Sequence, residues 1–339
     1  MKPHHLVPAA GLGLLLLFGV VAPASADITI RLSVKFILTP GGTRPAAGSI
    51  GTTTGFDSEV SRGNGILAVT ARGYSMVVVE YIDIRPPVPG GQASDYWYNM
   101  DARANRQTIE NAAVADQATW RWNNNAVNLY VNNSSSGQCS FPGTGGAITL
   151  GNDIGLGTVL HEVGHFMNLA HTHSGDPSCD TPPFPVSDGD GLAETIPDHP
   201  CLDRDGLSRA NFGGRNFNQL TAGEQAQVNS TWLNVMSYHQ EDQLLTQQMD
   251  DWTDAASSSR RYVCTGRTWF VDRNCGAIVH NGGSHCNVFG APFNTVGDGV
   301  NNAQGGDIVM IRAGSYNEPM TINKAITLRS TRGQATIGQ

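Results

Sequence analysis

The chain has 339 residues, a length typical of two domains. Hydrophobic residues make up 40% of it and charged residues 15%, an ordinary globular composition, and its 40 glycines indicate many tight turns. The formal net charge of −8 argues against nucleic acid or an anionic membrane as the main partner.

Residues 1–26 have the pattern of a secretory signal. Lys2 supplies the positive start, residues 12–21 form an apolar run, and Ala24-Ser25-Ala26 fits a small-residue cleavage site. The apolar run is too short to span a membrane comfortably, although an uncleaved anchor is the alternative. We therefore expect a secreted, extracellular chain that begins at Asp27 and has no membrane span after cleavage.

The first elements after the signal are two strands separated by a helix. Residues 28–36 alternate apolar and polar with period two, which predicts a half-buried strand. Asp57 or Ser58 is expected to cap a helix that runs to Arg72. Residues 74–84 contain a run of valines and predict a second strand.

The next stretch predicts a helix and two more strands. Residues 104–120 are rich in alanine and should form a helix whose inner face includes Ile109 and Ala113. Short apolar runs at 127–131 and 147–150 predict the strands.

The most specific chemical pattern is His161-Glu162-Val163-Gly164-His165, followed by His171. Two histidines four residues apart lie on one face of a helix, where both can bind one Zn²⁺ at about 2.0–2.1 Å. Glu162 then points toward a metal-bound water rather than to the metal. His171 can reach the same ion only if the helix ends first, and Asn168 can end it in the left-handed conformation.

A second pattern follows downstream, at Asn234-Val235-Met236-Ser237-Tyr238-His239. Together with the histidine motif it resembles the metzincin clan of zinc metallopeptidases, whose signature is HExxHxxGxxH, with Asn168 in place of the usual Gly. The resemblance implies that His161, His165 and His171 bind zinc and that Glu162 is the general base. It also implies that Met236 forms the Met-turn beneath the metal and that Tyr238 donates a hydrogen bond to the oxyanion. His173 and His239 are expected to be supporting or surface residues.

Within the clan, the chain is similar to the pappalysin-like family. The resemblance makes 147–150 an antiparallel edge strand that lines the substrate cleft, where an extended peptide can add as a strand. It also covers the loop 187–197, in which Asp188, Asp190 and Glu194 are candidate Ca²⁺ ligands. An acidic, solvated loop is the alternative. Export makes the six cysteines disulfide candidates, and Cys179–Cys201, which brackets this region, is the pair that we expect.

The catalytic region is expected to close with a helix at 245–256 and a polar hinge at 257–261. Beyond it, short strands separated by glycine and asparagine turns resemble the opening coils of a right-handed parallel β-helix of the pectin-lyase-like class. We therefore expect an α+β metzincin domain at 27–261. Its parts are a mixed twisted sheet, a zinc-binding helix and an irregular lower subdomain with the Met-turn. A partial and truncated β-helix should follow at 262–339.

The resulting hypothesis is a secreted zinc metalloendopeptidase that acts on protein or peptide substrates. One alternative is a thermolysin-type site in which Glu194 or Glu224 replaces His171 as the third ligand. Another is a non-catalytic secreted or surface protein that binds glycan through the C-terminal segment. Measurements of metal content and of peptide cleavage distinguish these three hypotheses.

Overall fold

The computed structural model describes residues 28–45, 50–175, 178–180, 182–240, 242–265, 268–274, 279–280, 283–284, 292–303, 305 and 307–338. The predicted signal at 1–26 lies outside these residues, as do Cys275 and Cys286.

A mixed sheet forms the centre of the N-terminal part. Its strands are β1 (Ile28–Ile37), β2 (Tyr74–Ile84), β3 (Val127–Asn132), β4 (Gly137–Cys139), β5 (Ala147–Gly151) and β6 (Cys264–Thr265). The order is β2-β1-β3-β5-β4, and β6 pairs with the beginning of β1. Strands β1, β2, β3 and β5 are parallel, whereas β4 and β6 run antiparallel to their neighbours.

Helices cover both faces of this sheet. The helices of the described chain are α1 (Thr53–Val69), α2 (Arg106–Ala115), α3 (Thr158–Phe166), α4 (Arg204–Asn211), α5 (Ala222–Trp232), α6 (Thr246–Ser257) and α7 (Val296–Asn302). The main apolar core joins one sheet face to α1, α3 and α6. A second apolar cluster, which includes Ile109 of α2, Trp97 and Trp120, packs on the opposite face. Side chains that alternate along β3 divide between the two, since Leu129 joins the first and Tyr130 the second.

The expected strands at 28–36 and 74–84 are confirmed, although the first is buried on both faces rather than half-buried. The expected helix ends are wrong. Helix α1 begins five or six residues earlier than predicted, because the side chain of Thr52, rather than Asp57 or Ser58, accepts the capping hydrogen bond from Gly55 N (3.0 Å). It also ends before Arg72, at Val69. Helix α2 covers only 106–115 of the predicted 104–120.

The edge strand is also different from the expectation. Residues 147–151 form β5, which is parallel to β3 and enclosed by β3 and β4, so they are not an antiparallel edge. The chain between β3 and β5 forms the short strand β4, which folds back along the outer side of β5. Strand β4 is therefore the antiparallel edge, and its outer side has no strand neighbour among the described residues.

The C-terminal part has its own parallel sheet, made of β7 (Thr268–Val271), β10 (Ile308–Tyr316) and β11 (Thr327–Ile337) in the order β11-β10-β7. Two short strands, β8 (Val279–His280) and β9 (Gly283–Ser284), form a separate hairpin. Helix α7 packs on the parallel sheet through Val296 and Val300. The chain is thus an α+β protein with a mixed sheet and a separate parallel sheet.

The segment in which a polar hinge was expected is packed against the N-terminal part. Arg260 is buried, and its guanidinium donates hydrogen bonds to the backbone carbonyls of Phe166 (2.9 Å), Gly145 (2.8 Å) and Ser140 (2.9 Å). The hinge prediction is therefore wrong at this residue. Strand β6, beyond the expected boundary at 261, still pairs with the N-terminal sheet. No helix in the described ranges is both long and apolar enough to cross a membrane.

Candidate metal centre

Helix α3 carries the first two histidines of the motif on a buried element that packs closely against the Met-turn. His161 and His165 are both buried. A Cβ atom added at Gly164, between them, would lie 2.9 Å from the sulfur of Met236 and 3.4 Å from Leu169 Cδ1. Glycine at this position therefore lets the fully buried Met236 pack directly against the helix.

The helix ends as the sequence predicted. Asn168 has a φ of 75°, the left-handed conformation that asparagine tolerates. The backbone N–H of Asn168 donates to His165 O (2.9 Å), and that of Leu169 donates to Gly164 O (2.9 Å), which together form a Schellman motif. The turn reverses the chain and brings His171 back to the helix.

Three ring nitrogens converge as a result. The Nε2 atom of His171 lies 3.1 Å from that of His161 and 2.9 Å from that of His165. An ion bound tetrahedrally at the usual zinc–nitrogen distance would hold such atoms about 3.3 Å apart. Among the described residues these three histidines form the group that could hold a metal ion, with all ligand atoms within 4.8 Å of one another. The donor set fits zinc.

Backbone carbonyls orient two of the rings. His161 Nδ1 lies 2.7 Å from Val235 O, and His165 Nδ1 lies 2.7 Å from Leu169 O, so each Nδ1 carries the proton and each Nε2 lone pair is available. Burial lowers the pKa of His161 to about 3 and that of His165 to about 4, and it lowers the pKa of His171 as well. All three imidazoles are therefore neutral near pH 7, as metal ligation requires.

Glu162 lies beneath the edge strand. It is buried, and a Cβ atom added at Gly137 of β4 would lie 3.2 Å from Glu162 Oε1. Burial, and next the Glu162 carboxylate, raise the pKa of the neighbouring Cys139 thiol. The carboxylate is thus held between α3 and β4.

Tyr238 covers the other side of the histidines. Its ring stacks on His161 with centroids 5.0 Å apart and lies 4.7 Å from the ring of His171. It remains 41% exposed, so its hydroxyl can meet a molecule from solvent. The backbone of Tyr238 has a φ of 61°, a strained conformation for a tyrosine and one that is typical of functional sites.

The side chains of His173 and His239 are both buried, so neither is a surface residue. The ring of His173 stacks almost parallel on that of His171, at 4.8 Å and 11°. His239 Nε2 lies 2.9 Å from Asp198 Oδ1, and Asp198 Oδ2 also accepts a hydrogen bond from Thr172 (2.6 Å). Asp198 therefore joins the Met-turn segment to the chain just after His171. Nothing in the local sequence marks Asp198 as part of the site.

The candidate calcium residues accept hydrogen bonds from the loop itself and from α6, and they are not in the group that could hold a metal in the part of the chain that is described. Asp188 Oδ1 accepts from Gly191 N, Asp190 Oδ1 accepts from Leu192 N and from the Thr195 hydroxyl, and Glu194 Oε2 accepts from Gln247 N. Burial raises the pKa of Asp190. Glu224, the other alternative zinc ligand, caps α5 and pairs with Arg215.

The predicted disulfide Cys179–Cys201 is confirmed, with Cα atoms 5.4 Å apart. It closes a loop of the irregular region that follows His171. Cys139 and Cys264 are buried free thiols.

A cavity of about 280 Å³ lies beside the turn that follows α3. Phe141, whose ring lies 5.0 Å from that of His165, forms its wall nearest the metal centre. The remaining lining residues come from the turn after α3, the acidic loop and α6: Asn168, Leu169, Ala170, Asp190, Leu192, Gln248 and Asp251. Phe141 and Gln248 were not expected from the sequence, since both reach the site only through the fold.

Comparisons with known proteins add little to this geometry. No protein-family model matches the sequence, and no curated protein matches it. A solved structure described as a chaperone-substrate complex is similar at 15% identity and a TM-score of 0.26, over 63% of this chain. This chain spans 36% of the length of that one. A TM-score this low carries no argument about fold or function.

Proposed function

We propose that the protein is a zinc-dependent metalloendopeptidase of the metzincin type, pappalysin-like in its loops, which hydrolyses peptide bonds of protein or peptide substrates. One observation carries the proposal. The Nε2 atoms of His161, His165 and His171 converge within about one zinc coordination sphere, next to the buried carboxylate of Glu162.

The ligand set favours a catalytic zinc site over a structural one. Structural zinc sites use four protein ligands and are closed, whereas catalytic sites use three and keep one position for water or substrate. When bound, zinc would lower the pKa of a water molecule and polarise the scissile carbonyl. The neutral imidazoles and their carbonyl-bonded Nδ1 atoms suit this role without rearrangement.

The side chains around the histidines can supply the remaining chemistry. Glu162 accepts the proton of the attacking water and returns it to the leaving amine. Tyr238 is exposed beside His161 and His171, so its hydroxyl can donate a hydrogen bond to the oxyanion that develops on the carbonyl. Met236 packs against the helix at Gly164.

Strand β4 provides a place for an extended substrate. Its outer side faces no other strand in the described chain, so a peptide can pair with it and pass over Glu162. Phe141, next along the chain, is 38% exposed beside His165 and borders the cavity. A substrate side chain can enter that cavity while its backbone pairs with β4.

We also infer secretion and a β-helical C-terminal part. The apolar run at 12–21 and the disulfide Cys179–Cys201 support export to an oxidising compartment. The parallel pairing of β7, β10 and β11 supports the opening of a right-handed β-helix.

Metal content and cleavage of a peptide library test the proposal together. We expect one zinc per chain by elemental analysis, and endoproteolytic cleavage that a chelator abolishes and added Zn²⁺ restores. A chain that binds zinc stoichiometrically but cleaves no peptide or unfolded protein would overturn the enzymatic part. A chain that binds no zinc would overturn the whole proposal.

A further inference from the structure

The C-terminal parallel sheet contacts helix α6 through a strained residue, Arg332. The pairing of β10 with β11 is regular up to Arg312 and Thr331, then shifts, and resumes at Gly314 and Ala335. Arg332 lies in the bulge that this shift creates and has a φ of 58°, which is unfavourable for any residue with a side chain. Bulges of this kind redirect a side chain out of the regular alternation.

The redirected side chain contacts helix α6. Its Nη2 donates to Asp251 Oδ1 (2.6 Å) and its Nε to Asp254 Oδ2 (3.0 Å), while its backbone N–H donates to Asp250 Oδ1 (3.1 Å). Asp250 and Asp254 are one helical turn apart, so their charges repel each other unless a cation lies between them. Arg72 also pairs with Asp250 and Arg312 with Asp254, so Arg332 is one of three arginines that let these carboxylates lie together on α6, and it is the one that pairs with Asp251.

Helix α6 in turn holds the Met-turn. The side-chain amides of Gln248, at the beginning of α6, and Asn234 exchange two hydrogen bonds of 3.0 Å, and both side chains are buried. Asn234 Oδ1 also accepts from Met236 N (2.9 Å). Between these residues lies Val235, whose carbonyl orients the His161 ring. Polar contacts from Arg332 to α6 and from α6 to Asn234, joined by the backbone of α6 and by the Asn234–Val235 peptide, thus link Arg332 to His161.

We propose that Arg332 is a positioning residue for the metal centre, acting through α6 and the Gln248–Asn234 pair. The inference rests on the proposed zinc site. A reciprocal amide pair tolerates little displacement, because both hydrogen bonds need donor and acceptor within about 3.2 Å. A shift of α6 would therefore move Val235 O and loosen the ring of His161. The C-terminal sheet is then part of the working metal centre and not an independent appendage.

The test compares Arg332→Ala with a matched variant, Arg273→Ala, in the purified protein. Arg273 belongs to the same C-terminal part, and its guanidinium donates to Ser315 O (3.0 Å), within that part. Zinc affinity is measured by competition with a chromophoric chelator, and the absorption spectrum of the Co²⁺-loaded protein reports ligand geometry. We expect Arg332→Ala to lose affinity near the lower end of the roughly 10- to 100-fold range typical of residues behind metal ligands. The Co²⁺ spectrum should change as well. Arg273→Ala should leave both readouts as in the wild type.

A double variant that also replaces Gln248 tests the inference independently, through its zinc affinity. If both residues act through one path, Gln248→Ala combined with Arg332→Ala should lose less zinc affinity than the two single losses multiplied together. Arg332→Lys keeps the charge but not the forked geometry, so its loss should be intermediate. This variant replaces Arg332→Ala in the comparison if the alanine variant does not fold.

Two results would overturn the inference. The first is a zinc affinity and a Co²⁺ spectrum that are the same in the Arg332 variants as in Arg273→Ala. The second is a loss of zinc affinity in the double variant that equals the product of the two single losses. Failure of the proposed function would look different, since the wild-type protein itself would then bind no zinc or cleave no peptide. A wild type that binds zinc without cleaving peptides still permits the affinity comparison.

Discussion

His165 Nδ1 lies 2.7 Å from the backbone carbonyl oxygen of Leu169, four residues further along the chain. In a continuous helix that carbonyl would point along the helix axis and away from the ring. The contact exists because the chain reverses at Asn168, and the same reversal delivers His171 to the other two histidines. One residue in the left-handed conformation thus orients one metal ligand and delivers another.

This dependence predicts how the site responds to substitution at Asn168. Glycine adopts a φ of 75° without strain, so Asn168→Gly should change the free energy of unfolding little and leave zinc affinity nearly unchanged. A β-branched residue is strained there, so Asn168→Val should cost about 1–2 kcal/mol or more and weaken zinc binding. Urea denaturation and chelator competition measure the two effects. Equal zinc affinity in the valine and glycine variants would contradict the proposed role of the turn.

Replacement of the proposed general base, Glu162, should separate metal binding from catalysis. Glu162→Ala should retain one zinc per chain and a native circular dichroism spectrum, because the ligands are untouched. Its turnover should fall by about 10²- to 10⁴-fold or more, the contribution typical of a positioned proton acceptor. Zinc content and peptide hydrolysis are measured on the same sample. Turnover near that of the wild type would mean that another group takes the proton.

The third ligand can be identified by comparing a histidine with two glutamates. His171→Ala should sharply reduce zinc occupancy, whereas Glu194→Ala and Glu224→Ala should keep it, because those carboxylates bond to Gln247 and to Arg215 and Thr221 instead. Elemental analysis after dialysis gives the occupancies. The reverse pattern would favour the thermolysin-type alternative.

A buried lysine predicts the pH dependence of stability. Lys35 is fully buried in β1, where its Nζ donates to Asn128 Oδ1 (2.6 Å), and burial lowers its pKa to about 7. In the unfolded chain a lysine keeps its proton up to about pH 10.4. Between these values the unfolded state binds more protons than the folded state, so stability rises with pH. This contribution is complete above the unfolded pKa and is lost as the pH falls through the folded one.

Urea denaturation at pH 7, 8 and 9 measures this dependence. The free energy of unfolding should increase by about 1 kcal/mol per pH unit from this residue. Lys35→Met, which retains the length of the side chain, should remove that part of the slope. Parallel curves for the wild type and Lys35→Met would show that Lys35 keeps its ordinary pKa in the folded protein.

The parts of the candidate site that sequence reasoning anticipated are those with local causes. The spacing of His161 and His165 acts through the helical repeat, and the left-handed tendency of asparagine acts within one turn at Asn168. The alternation of residues 28–36 predicts a strand in any surroundings. The pairing of Cys179 with Cys201 also joins residues only 22 positions apart.

The predictions of secondary structure were wrong where the local sequence is compatible with several structures. Thr52, Asp57 and Ser58 can all cap a helix, and packing of α1 against Met76 and Leu160 through Gly63 favours the longer helix that begins at Thr53. Residues 147–150 have a strand pattern that is the same for an edge strand and an enclosed one. The addition of β4 outside β5 decided between them, and strand pairing of this kind is not encoded in periodicity.

By itself, then, the sequence determined the chemistry offered by the chain: two imidazoles and a carboxylate on one helical turn, a turn residue, and a third imidazole within reach. The tertiary structure alone decided what surrounds that chemistry. It put β4 above Glu162, Phe141 beside His165, Asp198 between the Met-turn and the loop after His171, and Arg332 against α6. Each of these contacts joins residues between 24 and 81 positions apart in the sequence. Such contacts depend on how whole elements pack, which no short window of sequence specifies.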